Sequence, residues 1–281
     1  MNAFARDAAR RLRANPAAVA ALLVMSAMLA TTLFGSFLNP NDGQTLDWLH
    51  LAARPGLSNA HWFGTDRLGR DLYARTLAGA RVSVAVGLAA SFISIFVGVI
   101  FGAVAGYAGG RTDHLMMRLI EILSGLPLIF FVIFLTVIFG RSQSLLFISI
   151  GAVGWLTMAR IVRGQALSIR QQDFIAAAIA SGAGPARIVA KHVIPNLIGP
   201  VIVYATLTVP QIILFESFLS FLGLGIQEPG ASLGTLIAEG VGEMEAAPWM
   251  LLVPGGFLAL LLLCLNILGD GLRDALDVKE A

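Results

Sequence analysis

The stretch "FIAAAIASGAGPARIVAKHVIPN", residues 174–196, lies between two long apolar runs, carries Arg187, Lys191 and His192, and is broken at its centre by Gly182, Gly184 and Pro185. Its surroundings explain why a polar interruption matters. Of the 281 residues, 57% are hydrophobic and only 13% are charged, and the mean hydropathy is +0.81. That is far more apolar material than a soluble domain of this length needs to fill its core, so the chain reads as an all-α integral membrane protein. A formal net charge of +2, with its basic residues scattered over short loops, offers no stripe for nucleic acid. The single cysteine, Cys264, excludes an intramolecular disulfide and a cysteine-built zinc site.

About 20 apolar residues are needed to cross a bilayer as a helix. Six stretches meet that length: 16–37, 83–106, 116–139, 144–161, 197–223 and 250–268. The first follows Arg6, Arg10, Arg11 and Arg13, as in a signal peptide, but its apolar part is too long and no A-x-A site follows, so an uncleaved span is expected. Six spans put both termini on one side. Thirteen of the nineteen basic residues fall on the side of the termini and of residues 160–196, including Arg111, Arg118, Arg273 and Lys279. The other side holds Arg54, Arg67, Arg70, Arg75, Arg81 and Arg141, and its 224–249 loop carries Glu228, Glu239, Glu243 and Glu245 with no basic residue. The positive-inside rule therefore makes both termini, and the quoted stretch, cytoplasmic.

Inside the spans the chemistry is sparse. Gly98, Gly102, Gly106 and Gly110 continue a small-residue stripe from Ser83, Gly87 and Ser91, the kind of face that lets helix backbones approach in lipid; it reads either as static packing, the plainer choice, or as a sliding interface. Gly125 with Pro127, and Pro210, mark expected kinks. Glu121, Glu216 and Asn266 are the candidates for a substrate pathway, because desolvating an ionisable group in a span is costly. The plainer reading puts both glutamates at helix ends, where a carboxylate reaches water. His50, His61, His114 and His192 are scattered in loops with no pair at metal-ligand spacing, so no metal site is expected. Neither H-E-x-x-H, nor G-x-S-x-G, nor a G-x-x-x-x-G-K-[ST] phosphate loop occurs. No enzyme and no ATP site are expected in this chain; uphill transport would draw on a partner or an ion gradient.

The quoted stretch itself predicts two short helices. One runs from about Ser168 to Ser181 around Ala176, Ala177 and Ala178, with Gly182 at its end where positive φ is wanted. The second starts at Pro185 and runs to about Val193, with Pro195 barring its simple continuation into the fifth span. The spacing of Ala176, Ala177, Ala178, Gly182, Ile194 and Pro195 resembles the E-A-A-x-x-x-G-x(9)-I-x-L-P loop of the permease subunits of binding-protein-dependent ABC importers. Here Ala176 replaces the family's Glu, His192 its Ile and Ile194 its Leu, and Asp173, one turn earlier, is a candidate substitute for the missing carboxylate. In that family the loop is the coupling helix that docks on a cytoplasmic ATPase, which implies that role for Asp173, Ala176–Ala178, Gly182, Arg187 and Pro195.

Three further stretches resemble the second, "C"-type permease of the peptide and nickel branch: "FGTDRLGRDLYARTLAGARVSVAVGL" (63–88), "FESFLSFLGLGIQEPGASLG" (215–234) and "NILGDGLRDALD" (266–277). Leu233 stands where the family has Trp, and Val278 where it has Pro. The first contains the extracytoplasmic motif Gly64, Thr65, Asp66, Gly69, Arg70, Asp71. Read physically, Thr65 caps an amphipathic helix on the outer membrane surface, with Asp66–Arg70 and Asp71–Arg75 as i,i+4 pairs. Such a helix would anchor the second span or receive a solute-binding protein.

The resemblance implies the type I ABC importer (MetI-like) fold. The divisions are a cytoplasmic tail (1–15), the first span with its outer loop (16–82), a transmembrane core (83–270) holding the coupling loop (168–196), and a cytoplasmic tail (271–281). It further implies peptide import by alternating access in a bacterial inner membrane. The partners would be a related permease, two ATPase subunits that bind ATP and Mg, and an extracytoplasmic binding protein. A nickel or other small-solute importer of the same branch, and an ion-coupled secondary carrier, are the alternatives at this point.

Overall fold

The computed structural model describes residues 9–39, 41–56, 61–140 and 142–276. Arg6, Arg141, Asp277, Val278 and Lys279, and with them part of each tail, lie outside the described residues. Among the described residues the chain is helical and has no strand, only an isolated bridge between Thr65 and Asp71.

Helix α1 (Pro16–Phe34) starts with proline in its first turn, and the Asn15 side chain accepts hydrogen bonds from the backbone of Ala17 and Ala18. Helix α2 (Leu72–Ala108) has 37 residues. At 1.5 Å per residue it is about 55 Å long and overshoots a hydrocarbon layer of about 30 Å. Its cap is Asp71, whose Oδ1 accepts from the Ala74 N–H at 2.8 Å. Helices α3 (Gly110–Ser124) and α4 (Leu128–Phe139) together cover the expected third span. They meet at a bend of 79°. The kink read from Gly125 and Pro127 is therefore present, and it is sharp enough to break the 116–139 stretch into two helices. Helix α5 (Gln143–Arg170) extends nine residues beyond the expected limit of 161. Among the described residues five helices are long and apolar enough to cross a membrane, and the bent α3–α4 pair makes a sixth if it counts as one span.

After α5 come α6 (Asp173–Ala180), α7 (Pro185–Ile188), a π-helical turn (Val189–Val193) and α8 (Ile194–Phe221). Helix α9 (Leu233–Gly242) opens on a capping box of Ser232 and Thr235, and α10 (Trp249–Leu276) closes the described chain.

The small-residue stripe sets how the bundle packs. The principal partner of α2 is α5. A β-carbon on Gly98 would fall 2.6 Å from Met158 Cβ, one on Gly102 2.5 Å from the Ala159 carbonyl, and one on Gly106 2.7 Å from the Arg163 carbonyl. Where the family of contacts needs backbone against backbone, only glycine fits. Gly87 receives the Ile213 side chain of α8 in the same way. Gly110 does not belong to this interface: it faces open space and has φ +55°.

Candidate functional site

The quoted loop is clamped from one side and bare on the other. Ile175, Ile188, Val193 and Leu197 are buried against Ala103, Met158, Val162 and Ala166 of α2 and α5. The outward side presents Phe174 and Ile179, 43% and 55% exposed, with Ala176 and Ala177 between them and Ala178 half-buried. Asp173 in the first turn, Arg187 and Lys191 across the loop, and Pro195 are all exposed. Gly182 has φ +80°. Its N–H donates to the Ile179 carbonyl at 2.9 Å, and the Ala183 N–H donates to the Ala178 carbonyl at 3.0 Å. These are the two closing bonds of a Schellman cap, so the stop read at Gly182 is where the sequence placed it.

Two boundaries differ from expectation. The first helix does not start at Ser168: α5 runs to Arg170, the Gln171–Gln172 turn intervenes, and α6 begins at Asp173. The second does not end before Pro195 either. Pro195 falls in the first turn of α8, where its missing N–H costs little, and the π turn absorbs the change of register, so the helix runs on from Pro185 to Phe221.

The outer motif departs further from expectation. Residues 62–70 are turns, not an amphipathic helix, and Thr65 is not a cap. Gly64 and Gly69, both at φ +79°, fold the segment back so that Thr65 bridges Asp71. A β-carbon at either glycine would strike backbone, at Ala53 and Asp47 respectively. The Thr65 hydroxyl donates to the His50 carbonyl and accepts from the Ala53 N–H. Asp66, 1% exposed, accepts from the backbone N–H of Leu68 and of Arg70, from Arg70 Nε at 2.6 Å and from Arg75 Nη1 at 2.5 Å. Arg75 also forks onto both oxygens of Glu239, at 2.7 and 3.0 Å, and Arg70 reaches Glu228 at 3.2 Å. The Asp66–Arg70 pair thus exists, but inside the protein; Asp71 does not pair with Arg75 by charge and instead caps α2. Burial alone would lower the Arg70 guanidinium's pKa, but its hydrogen bond to and charge attraction from Asp66 outweigh that and raise it.

Sequence spacing missed a second cluster in this region. His50 and His61, eleven positions apart, meet with ring centroids 5.7 Å apart, and Asp47 sits between them. His61 Nδ1–H donates to Asp71 Oδ2 at 2.8 Å. The Asp47 carboxyl is held below its usual range first by the hydrogen bond from His50 and then by that from the Leu49 N–H. The two histidines have no metal-ligand spacing along the chain, and turn geometry brings together what the chain separates.

The three candidate pathway residues do not gather. Glu121 on α3 is exposed and pairs with Arg118 at 3.1 Å, in keeping with the plainer reading. Glu216 on α8 contradicts that reading. It is fully buried, and the Ser220 and Ser217 hydroxyls donate to it at 2.8 and 3.3 Å. Asn266 on α10 is spent on its own helix, its Nδ2 donating to the Leu262 carbonyl at 2.8 Å. A cavity of about 570 Å³ opens between α5, α8 and α10, lined by Gln165, Tyr204 and Arg273 among others; it includes none of the three.

Known proteins resemble the chain over nearly its whole length. Residues 98–279 match the family described as binding-protein-dependent transport system inner membrane component, and residues 3–55 match the N-terminal TM domain of oligopeptide transport permease C. The chain is 50% identical over 275 residues to the oligopeptide transport system permease protein OppC of Haemophilus influenzae, covering 98% of this chain and 88% of the relative. It is equally similar to the protein of that name from Escherichia coli K12, covering 98% and 91%. It is 45% identical over 279 residues to the dipeptide transport system permease protein DppC of Bacillus subtilis, covering 98% and 86%.

Proposed function

The chain belongs to the family of binding-protein-dependent transport system inner membrane components, and from that premise we propose that it imports short peptides as one half of a two-permease pore. It is a multi-pass inner-membrane protein of a transport family and not itself an enzyme. The pore reading adds a related permease, two cytoplasmic ATPase subunits that hold ATP and Mg, and an extracytoplasmic binding protein. Both termini and the 171–196 loop face the cytoplasm in this reading, on the strength of the basic-residue bias.

One observation carries the reading. A short helix, α6, stands on the surface with Phe174 and Ile179 exposed, between Asp173 and Arg187, while Ile175 and Ile188 anchor it to α2 and α5. A loop serving only as a connector gains nothing by exposing two large apolar side chains on a helix so firmly held; a handle for another protein does. ATP binding would close the ATPases, draw this handle with them and open the bundle outward. Asp173, Ala176–Ala178, Gly182, Arg187 and Pro195 form the handle, and Gly64–Asp71 belongs to the outer face that receives the binding protein. Glu121, Glu216 and Asn266 do not stand together as a pathway, and no peptide-binding role is assigned to them.

Native purification tests this directly. We expect two ATPase subunits and a second permease in stoichiometric yield, and a deletion strain that fails to grow on an essential amino acid supplied as a short peptide. Recovery without an ATPase would overturn the reading, as would unimpaired peptide uptake with lost nickel accumulation.

A further inference from the structure

The outer loop holds a group of side chains that the transport reading does not use. Asp47, His50 and His61 each present one ligand atom, all within 4.8 Å of one another. Asp47 Oδ2 lies 2.8 Å from His50 Nδ1 and 3.5 Å from His61 Nε2. Zinc bonds nitrogen and oxygen at about 2.0–2.2 Å, so a tetrahedral site needs its ligand atoms about 3.3–3.5 Å apart. The two spacings from Asp47 straddle that value, and the two imidazoles lie within 4.8 Å of each other, so the loop tightens around the ion as it binds.

The ligands are aimed from behind. His61, 6% exposed, has Nδ1 2.8 Å from Asp71 Oδ2 and Nε2 3.5 Å from Asp47 Oδ2, so that a proton kept on Nδ1 by Asp71 directs Nε2 to the ion when one binds. Asp71 is itself fixed, since its other oxygen caps α2. Asp47 is fixed in the same manner: Oδ1 accepts from the Leu49 N–H at 2.9 Å, which keeps Oδ2 for the cluster. A carboxylate–imidazole pair behind a ligating nitrogen is the usual support of a metal-bound histidine. Beside the cluster, a cavity of about 220 Å³ lined by Asp47, His61, Asp71 and neighbouring loop residues leaves room for water as a fourth ligand.

We propose that Asp47, His50 and His61 bind one divalent transition ion of the zinc type, the ion taking the place of the proton that His50 Nδ1 shares with Asp47 and releasing it to water or to the ring's other nitrogen, with Asp71 as the positioning residue for His61, and that the ion pins the start of the outer loop to the start of α2. Two imidazoles with one carboxylate favour zinc over calcium or magnesium, which take oxygen ligands. The inference does not depend on transport, so its failure and that of the peptide reading are separable.

The test uses the full chain in detergent, purified on a histidine-free tag, stripped with chelator and dialysed against micromolar Zn²⁺. Metal analysis should find one zinc per chain and no retained Mg²⁺. His50→Ala and Asp47→Asn should each weaken zinc binding at least tenfold, whereas His114→Ala and His192→Ala should not change it. His50 is the cleaner site, because its ring is half-exposed and removing it leaves the His61–Asp71 contact and the α2 cap in place. With Co²⁺ in place of Zn²⁺, the wild type should show the visible absorption of a tetrahedral ion and His50→Ala should not. Zinc content no higher than the stripped baseline, or binding undiminished in His50→Ala, would overturn the proposal.

Discussion

Gly182→Val places a β-branched residue at φ +80°, where a β-carbon would meet nothing within 4 Å. Space is therefore not the difficulty; the backbone is. For L residues that region costs about 1–2 kcal/mol, and a branched side chain sits at the upper end. The alternative is to leave positive φ, which breaks the Schellman bonds from Gly182 to Ile179 and from Ala183 to Ala178. Each is worth about 1 kcal/mol, less where water can replace it. By either route a penalty of about 1–2 kcal/mol shifts the loop roughly 5–30-fold toward geometries that no longer fix the angle between α6 and α7. The spans are untouched, so insertion and pairing with the second permease should survive. What should fall is ATP hydrolysis stimulated by loaded binding protein, together with peptide uptake, in the reconstituted complex. Because the cost follows φ and not volume, the order of activity should be Gly, then Asn, then Ala, then Val, since Asn tolerates the left-handed region. Normal coupling in Gly182→Val, or a ranking by side-chain size, would refute the reasoning.

Ala176→Glu should be tolerated with unchanged uptake, because Ala176 is exposed on the handle and the substitution restores the residue the family carries there. Asp66→Ala should lower detergent-phase stability by about 1–3 kcal/mol, read as an earlier thermal transition, because it removes the carboxylate shared by buried Arg70 and Arg75 while leaving them Glu228 and Glu239. Gly102→Val should reduce the yield of folded protein by size-exclusion chromatography, since its side chain would meet the Ala159 carbonyl and Val162, while Gly164→Ala, which meets nothing, should not. Cysteines placed in 41–56 and 228–246 should react with an impermeant reagent from outside, and those in 171–190 should not; labelling of the latter from outside would reverse the orientation.

Hydrophobic length and small-residue spacing carried most of the fold, because lipid leaves a chain few other ways to satisfy its backbone. The Gly98, Gly102 and Gly106 contacts and the positive φ of Gly182 follow from residue type alone. The outer motif failed for a definite reason. Asp66 and Arg70 at i,i+4 satisfy the rule for a helix surface, yet Gly64 and Gly69 bend the chain so that the same pair meets across turns and is buried. Those two glycines, five residues apart in a segment otherwise assigned to helix, were the available signal. Glu216 misled in the opposite direction: its place near a helix end suggested water, and nothing local reveals that Ser217 and Ser220 enclose it with the bundle. The meeting of Asp47, His50 and His61 depends on that same turn geometry and has no periodic trace.

The failure at Pro195 changes how the handle is expected to work. Had the second short helix ended there, a flexible joint would have separated the loop from the fifth span. Instead Pro185–Phe221 is one helical run of 37 residues with a π turn at Val189–Val193, continuing through Pro200 and Pro210. Its far half lies against α9 closely enough that a β-carbon on Gly234 would strike the Ser217 backbone. From α9, Glu239 holds Arg75 at the head of α2, and Arg75 holds Asp66 in the outer motif. On the coupling reading, a displacement of α7 is delivered to α8 without a hinge and passes from α8 to α9 through backbone contact. It reaches the outer surface through a buried charge pair, so the two ends of the molecule are joined by packed groups that resist independent movement.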